Sequence, residues 1–228
     1  MAWVAVVAGR SQFFICTLFF SNETRAIWYS KDYFCGNRGA CIGKFRTDHG
    51  EKCFISYFVA MKIFLIGFMG SGKTHWGRLI AERLRLPFFD LDSVITEKEG
   101  KTISDIFAEK GEEYFRYREK EILEEVVINH DEFILSSGGG TPCFFNNIEF
   151  MKKNGQVIWL NTSVEVLKKR LIRERMSRPL IRSIGEAEIR AYIIRKLGER
   201  KMYYEQADVM VNEENILLEP LLELLKNE

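Results

Sequence analysis

This 228-residue chain lacks a large net charge, a long apolar run and any C-x-x-C spacing among its cysteines. The formal charge is +1, so no global field draws the molecule to nucleic acid or to an anionic membrane. No apolar stretch approaches the ~20 residues that a bilayer-spanning helix needs. The five cysteines form no C-x-x-C pair, and His49 stands alone beside them, so their spacing gives no support to a zinc site. The marks of a secretory leader are missing too. Met1-Ala2-Trp3-Val4 carries no positive charge, and no small-residue cleavage site follows the aromatic run from Phe13 to Phe20. A transit peptide would be rich in serine and poor in acids, and residues 1–60 are neither.

What is present is uneven. With 46% hydrophobic residues the chain can bury a substantial core. Residues 1–60 nevertheless show no clear periodicity, although they hold Cys16, Cys35, Cys41 and Cys53 and much of the aromatic content. A short buried strand at 13–20 is the most that they suggest. From Met61 onward the pattern becomes regular. The simplest expectation is a break there, with Met61 as the natural start and residues 1–60 as upstream sequence or an extension of unassigned role.

Met61-Lys62-Ile63-Phe64-Leu65-Ile66 reads as a strand and runs directly into Gly67-Phe68-Met69-Gly70-Ser71-Gly72-Lys73-Thr74. The spacing is G-x-x-x-x-G-K-[ST], followed by a helical pattern with Leu79, Ile80, Leu84 and Leu86 on one face. Strand, glycine loop and helix in that order cradle a phosphate: backbone N–H groups turn inward, and the helix N-terminus adds partial positive charge. Lys73 is expected to reach the β- and γ-phosphates of a nucleoside triphosphate, and the Thr74 hydroxyl to hold Mg²⁺.

Apolar runs at 61–67, 87–91, 132–137, 156–161 and 208–212 predict five strands. Between and after them, helices are expected at about 73–85, 93–98, 103–109, 112–128, 144–153, 163–175, 186–205 and 214–226. Strands that are apolar throughout and separated by helices imply a parallel sheet covered on both faces, an α/β fold. Ligands of such sheets gather at the carboxyl ends of the strands.

Four further motifs fall there. Phe88-Phe89-Asp90-Leu91-Asp92 ends the second strand, where alternation would put both acids on one face, facing a metal and a hydroxyl. The competing role is a helix cap, by Asp92 or Ser93. In Phe115-Arg116-Tyr117-Arg118-Glu119, Arg116 and Glu119 are three apart on one helix face and can pair. Arg116 is then either a solvated helix residue or a fork of donors for a carboxylate. Gly138-Gly139-Gly140 costs conformational entropy that one turn glycine would avoid, which points to a close backbone approach. Arg173-Glu174-Arg175-Met176-Ser177-Arg178-Pro179-Leu180 forms an arginine-rich loop, a charged surface turn or a lid over transferring phosphates.

Taken in order, G-x-x-x-x-G-K-T, F-x-D-x-D, F-R-x-x-E, G-G-G, R-P-L and the late Glu199-Arg200 before Tyr203 resemble the shikimate kinase family over 61–228. The resemblance implies a P-loop kinase-type three-layer fold, a five-stranded parallel sheet flanked by helices with a lid. It implies phosphorylation of shikimate by ATP with Mg²⁺, in a cytoplasmic monomer that takes only small molecules as partners. Carried over, Gly70, Ser71, Gly72, Lys73, Thr74 and His75 line the phosphate site, and Thr74 and Asp90 serve the metal. Asp92 holds the substrate hydroxyls and is the proton acceptor. Arg116 and Arg200 grip the substrate carboxylate, Glu119 orients Arg116, and Gly138, Gly139 and Gly140 wall the ring site. Arg178 is implied as the lid arginine and Arg170 as the adenine-stacking one, with Arg173 its rival. Lys73, Asp92 and Arg178 would carry the chemistry. Two departures from the family pattern, Met202 in place of a proline and His75-Trp76 after the threonine, touch no group needed for charge or protonation. Another small-molecule kinase of the same superfamily, or a kinase-like domain used only for binding, are the competing readings.

Overall fold

The computed structural model describes residues 40–47, 50–57, 61–174, 181, 184–212, 216 and 218–226, the first two stretches by their backbone. The chain divides into two compact units, Met1–Ala60 and Met61–Glu228. In the first, β1 (Ala40–Thr47) and β2 (Gly50–Tyr57) form an antiparallel hairpin, with Ala40 opposite Tyr57 and Thr47 opposite Gly50. The sequence reading missed this hairpin. Neither alternate set of residues in Ala40–Thr47 is uniformly apolar, so the period-two signal of a half-buried strand is absent. The strand expected at 13–20 lies outside the described residues.

The second unit is an α/β domain. Its elements are β3 (Lys62–Ile66), α1 (Lys73–Leu84), β4 (Phe88–Asp90), α2 (Leu91–Glu99), α3 (Ile103–Asn129) and β5 (Phe133–Ser136). After a 3₁₀ turn at Thr141–Cys143 come α4 (Asn147–Asn154), β6 (Gln156–Asn161), α5 (Val164–Arg173), α6 (Glu186–Tyr204), β7 (Val209–Asn212) and α7 (Leu218–Lys226). The five expected strands form one sheet in the order β4-β5-β3-β6-β7, every neighbouring pair parallel.

The central strand shows why the strands read as unbroken apolar runs. Phe64 and Ile66 face a core shared with Leu91, Ile95, Phe115 and Ile122 of α2 and α3. Ile63 and Leu65 face the opposite core, with Ile80 and Ala81 of α1 and Leu221 and Leu222 of α7. Both faces of the pleat are covered, so alternation sorts residues between two cores rather than between core and water. A third cluster, Phe68 with Leu167, Leu171, Ile181, Ile189 and Ile193, binds α5 and α6 to the phosphate-binding loop.

Several helix boundaries differ from expectation; the last helix, expected from 214, begins at Leu218. The helices read at 103–109 and 112–128 abut as one assigned element, broken only at Gly111, where φ is 84° and ψ 174°. The helix expected at 93–98 starts two residues earlier, because the strand hands over to it directly at Leu91. The helix expected from 144 begins at Asn147, because Phe145 and Asn146 take left-handed φ values of 51° and 60°.

Candidate active site

The phosphate-binding loop leaves β3 through Gly67, at φ 143°, where an added Cβ would come 2.8 Å from the Leu160 carbonyl oxygen. Only glycine lets the backbone bend that close. Lys73, at the head of α1, is buried and turns its Nζ back beneath the loop. It donates to the carbonyl oxygens of Gly67 and Phe68, both at 2.9 Å. The lysine therefore braces the loop from inside while its charge lies at the cavity wall. Ser71 is placed differently from its neighbours: its side chain is buried, and its N–H donates to the Phe68 carbonyl at 3.1 Å.

Thr74 donates through Oγ1 to Asp90 Oδ2 at 2.7 Å, linking the first turn of α1 to the end of β4. The other Asp90 oxygen accepts from the Ser93 N–H at 3.3 Å, so Asp90 is the cap of α2. The sequence offered Asp92 or Ser93 for that cap, as the competing role, and the expectation that the two acids share one strand face also fails. Asp90 ends the strand, whereas Asp92 sits in the first turn of the helix. The two still line one cavity, because the strand-to-helix turn aims both at the same space.

That cavity encloses about 400 Å³ at the carboxyl end of the sheet. It is lined by Gly70, Gly72, Lys73, Thr74 and His75 on one side, by Asp90 and Asp92, and by Ser136, Ser137 and Gly139 at and after the end of β5. Arg170 of α5 also lines it, donating through Nη1 to the Gly70 carbonyl at 3.0 Å. Its rival Arg173 is exposed at the end of α5 and does not line the cavity. Arg178 lies outside the described residues.

The three glycines show what the close approach is. A Cβ on Gly138 would collide with Glu119 Oε1 and lie 3.3 Å from Asp92 Oδ1; on Gly139 it would lie 3.2 Å from Arg200 Nη1. On Gly140 it would meet Arg116 Nη1 at 2.8 Å. Each glycine makes room for a different functional side chain. Arg200 donates to the Gly139 carbonyl at 3.2 Å, and the buried Tyr204 hydroxyl donates to the same oxygen at 2.5 Å. Burial pushes the Tyr204 phenol well above its usual range, so it stays protonated and can donate to that carbonyl.

Arg116 is buried, and each of its three nitrogens donates to a glutamate. Nη1 donates to Glu119 Oε2 at 2.6 Å, while Nε and Nη2 donate to Glu112 Oε1 at 3.2 and 2.9 Å. Glu119 is fully buried and also accepts from Thr141 Oγ1 at 2.5 Å. Burial raises the Glu119 carboxyl, against the pull of Arg116 and Thr141. For Arg116 burial works against the charge, yet Glu119 and Glu112 outweigh it and hold the guanidinium above its usual range. Cys143 beside them is a protonated thiol, pushed by burial up to about 11. Glu112, Thr141 and Tyr204 are contributions that sequence reasoning did not assign. Glu112 has a readable signal in its i, i+4 spacing to Arg116, whereas the other two have none.

The cavity joins the glycine loop and Lys73 to two acids, Asp90 and Asp92; Arg116 and Arg200 do not line it but pack against Gly140 and Gly139 of the glycine run. Residues 69–225 match the family model described as shikimate kinase. The chain belongs to the shikimate kinase family. It is 41% identical over 164 residues to the shikimate kinase of Azobacteroides pseudotrichonymphae, a match covering 72% of this chain and 96% of that relative. A crystal structure of shikimate kinase from Bacteroides thetaiotaomicron, 37% identical, superposes with a TM-score of 0.69 over 73% of this chain and 98% of that one. Shikimate kinase from Acinetobacter baumannii, solved in complex with shikimate, is 34% identical with a TM-score of 0.66, over 73% and 93% of the two chains.

Proposed function

We propose that the protein transfers the γ-phosphoryl group of ATP to a ring hydroxyl of shikimate, giving ADP and shikimate 3-phosphate on the route to chorismate and the aromatic amino acids. The observation that carries this reading is one cavity bounded by Lys73 and Thr74 on one side and by Asp90, Asp92 and Gly139 on the other. The same glycine run packs on Arg116 and Arg200.

Phosphoryl transfer of this kind has a loose transition state, so positioning and charge neutralisation outweigh strong base catalysis. The loop glycines and the α1 N-terminus bind the phosphates, and Lys73 adds a fixed positive charge beside them. The Thr74 hydroxyl and Asp90 carboxylate are hard oxygen donors 2.7 Å apart, a pair suited to Mg²⁺, which prefers few protein ligands and keeps its waters. Bound there, the ion would offset phosphate charge. Asp92 aligns the acceptor hydroxyl and takes its proton; Arg116 and Arg200 bind the carboxylate; Arg170 lies on the nucleotide side, and Arg178 is the lid arginine. Tyr204 and Arg200 hold the Gly139 carbonyl, keeping the wall in place. The working unit is residues 61–228, acting as a cytoplasmic monomer. No helix among the described residues is long and apolar enough to cross a membrane.

A coupled assay of ADP release tests the reading. Turnover is expected to require shikimate and to fall by large factors with analogues lacking the carboxylate or a ring hydroxyl, since a site built on buried polar partners rejects ligands that leave them unpaired. Release of ADP without shikimate, or equal use of a nucleoside monophosphate, would overturn it. A chain beginning at Met61 is expected to keep kcat within about twofold, as a domain with its own core does. Loss of activity on that truncation would assign residues 1–60 a part in the reaction.

A further inference from the structure

Besides its glutamate partners, the Arg116 guanidinium lies over two aromatic rings. The Phe144 ring centroid lies 4.7 Å from Arg116 Cζ, and that of Phe115 lies 5.3 Å away. Both are inside the ~6 Å range over which a cation is attracted to a ring face. Phe115 is a core residue of α3, but Phe144 is 38% exposed and lies in a connecting turn. Its position therefore needs a local cause.

The backbone provides one. Asn147 Nδ2 donates to the Thr141 carbonyl at 2.9 Å and ties the turn to the start of α4. Phe144 is extended, and the two residues after it are left-handed. Asparagine tolerates that conformation, whereas phenylalanine rarely adopts it, and two such residues in a row persist only where the surroundings over-determine them. The Phe145 ring meets Tyr117 edge-on at 6.3 Å between centroids, pinning the turn to α3. The result of this strained path is an exposed aromatic ring over which the Arg116 guanidinium lies.

We propose that Phe144 is a positioning residue for substrate recognition: its ring holds the Arg116 guanidinium in place and keeps water from the side it covers, so that a substrate carboxylate meets an oriented and poorly hydrated cation. The proposal rests on the reading that Arg116 binds the carboxylate of shikimate. An arginine suits this arrangement because its planar, weakly hydrated head can stack and donate in plane at once. The benefit is to ground-state binding, and it exists only for a ligand bearing the negative charge.

The test compares wild type with Phe144→Leu, with Phe144→Met as a second ringless variant and Phe144→Tyr as the variant that keeps the ring. Steady-state kinetics use saturating ATP and either shikimate or its methyl ester. Leu and Met are expected to raise the KM for shikimate by roughly 3- to 10-fold with little change in kcat, and Tyr to restore it. KM for the ester should be the same in all four proteins. If the wild type prefers the acid to the ester and the ringless variants leave the KM for shikimate unchanged, the role of Phe144 is refuted and that of Arg116 stands. If KM rises equally for acid and ester, the ring provides only shape, and the proposal falls. If the wild type does not distinguish acid from ester, the carboxylate reading itself fails and the proposal with it.

Discussion

Lys73→Met is expected to lower kcat by roughly 10²- to 10³-fold at saturating ATP and shikimate, the usual consequence of removing one preorganised donor from a site where charge develops. Methionine keeps an unbranched apolar side chain, one atom shorter than that of lysine, so the packing under the loop changes little. What disappears is the charge and two hydrogen bonds, to the Gly67 and Phe68 carbonyl oxygens at 2.9 Å. The second loss matters separately. Those carbonyls belong to the loop that must keep its N–H groups turned toward the phosphates, so a rise in KM for ATP is expected beside the fall in kcat. A thermal melt close to that of the wild type would show that the fold is intact. Equal turnover by the folded variant would mean that Lys73 does not act on the transferring group.

The architecture was legible where burial is symmetrical. Ile63–Ile66 and Phe133–Leu135 are buried on both faces, so their sequences are continuously apolar and locate the strands to within a residue or two. The first strand of the hairpin, Ala40–Thr47, lacks any such pattern, and the hairpin escaped notice. Within the site, the Arg116–Glu119 pair followed from helical spacing, because i and i+3 residues must share a face. Contacts set by tertiary packing did not. Thr141 reaches Glu119 across 22 residues, and Tyr204 reaches Gly139 across 65, and neither carries a local signature. The glycine triplet lies between these cases. Its composition announced a close approach, but the partners are the protein's own Glu119, Arg200 and Arg116 side chains, which no local reading identifies. Asp90 and Asp92 carry the same lesson. They were expected to meet through strand alternation, yet they meet because a helix begins between them.

Arg116→Ala is expected to harm binding and stability together, and the two effects can be separated. Loss of a charged hydrogen bond to the substrate carboxylate costs about 1.5–3 kcal/mol, or roughly a 10- to 150-fold rise in KM for shikimate. An unchanged KM would refute the carboxylate assignment. The stability effect arises in Glu119, which is fully buried and whose charge Arg116 offsets at 2.6 Å. Removing one partner of a buried pair strands the other and costs about 3–5 kcal/mol. Burial already raises the Glu119 carboxyl above its unfolded value, and without the guanidinium it must rise further. A raised folded pKa means that the folded state binds the proton more tightly, so stability is fully present below the unfolded value near 4.5 and declines as pH climbs through the folded one. The gap in Tm between variant and wild type should therefore be widest at pH 8 and narrow toward pH 5. A gap independent of pH would mean that the stranded charge is not its source. Adding Glu119→Gln to the variant removes that charge while keeping an acceptor for Thr141. The double variant should recover stability at pH 8 without recovering affinity for shikimate, which separates the role of Arg116 as counter-ion from its role as ligand.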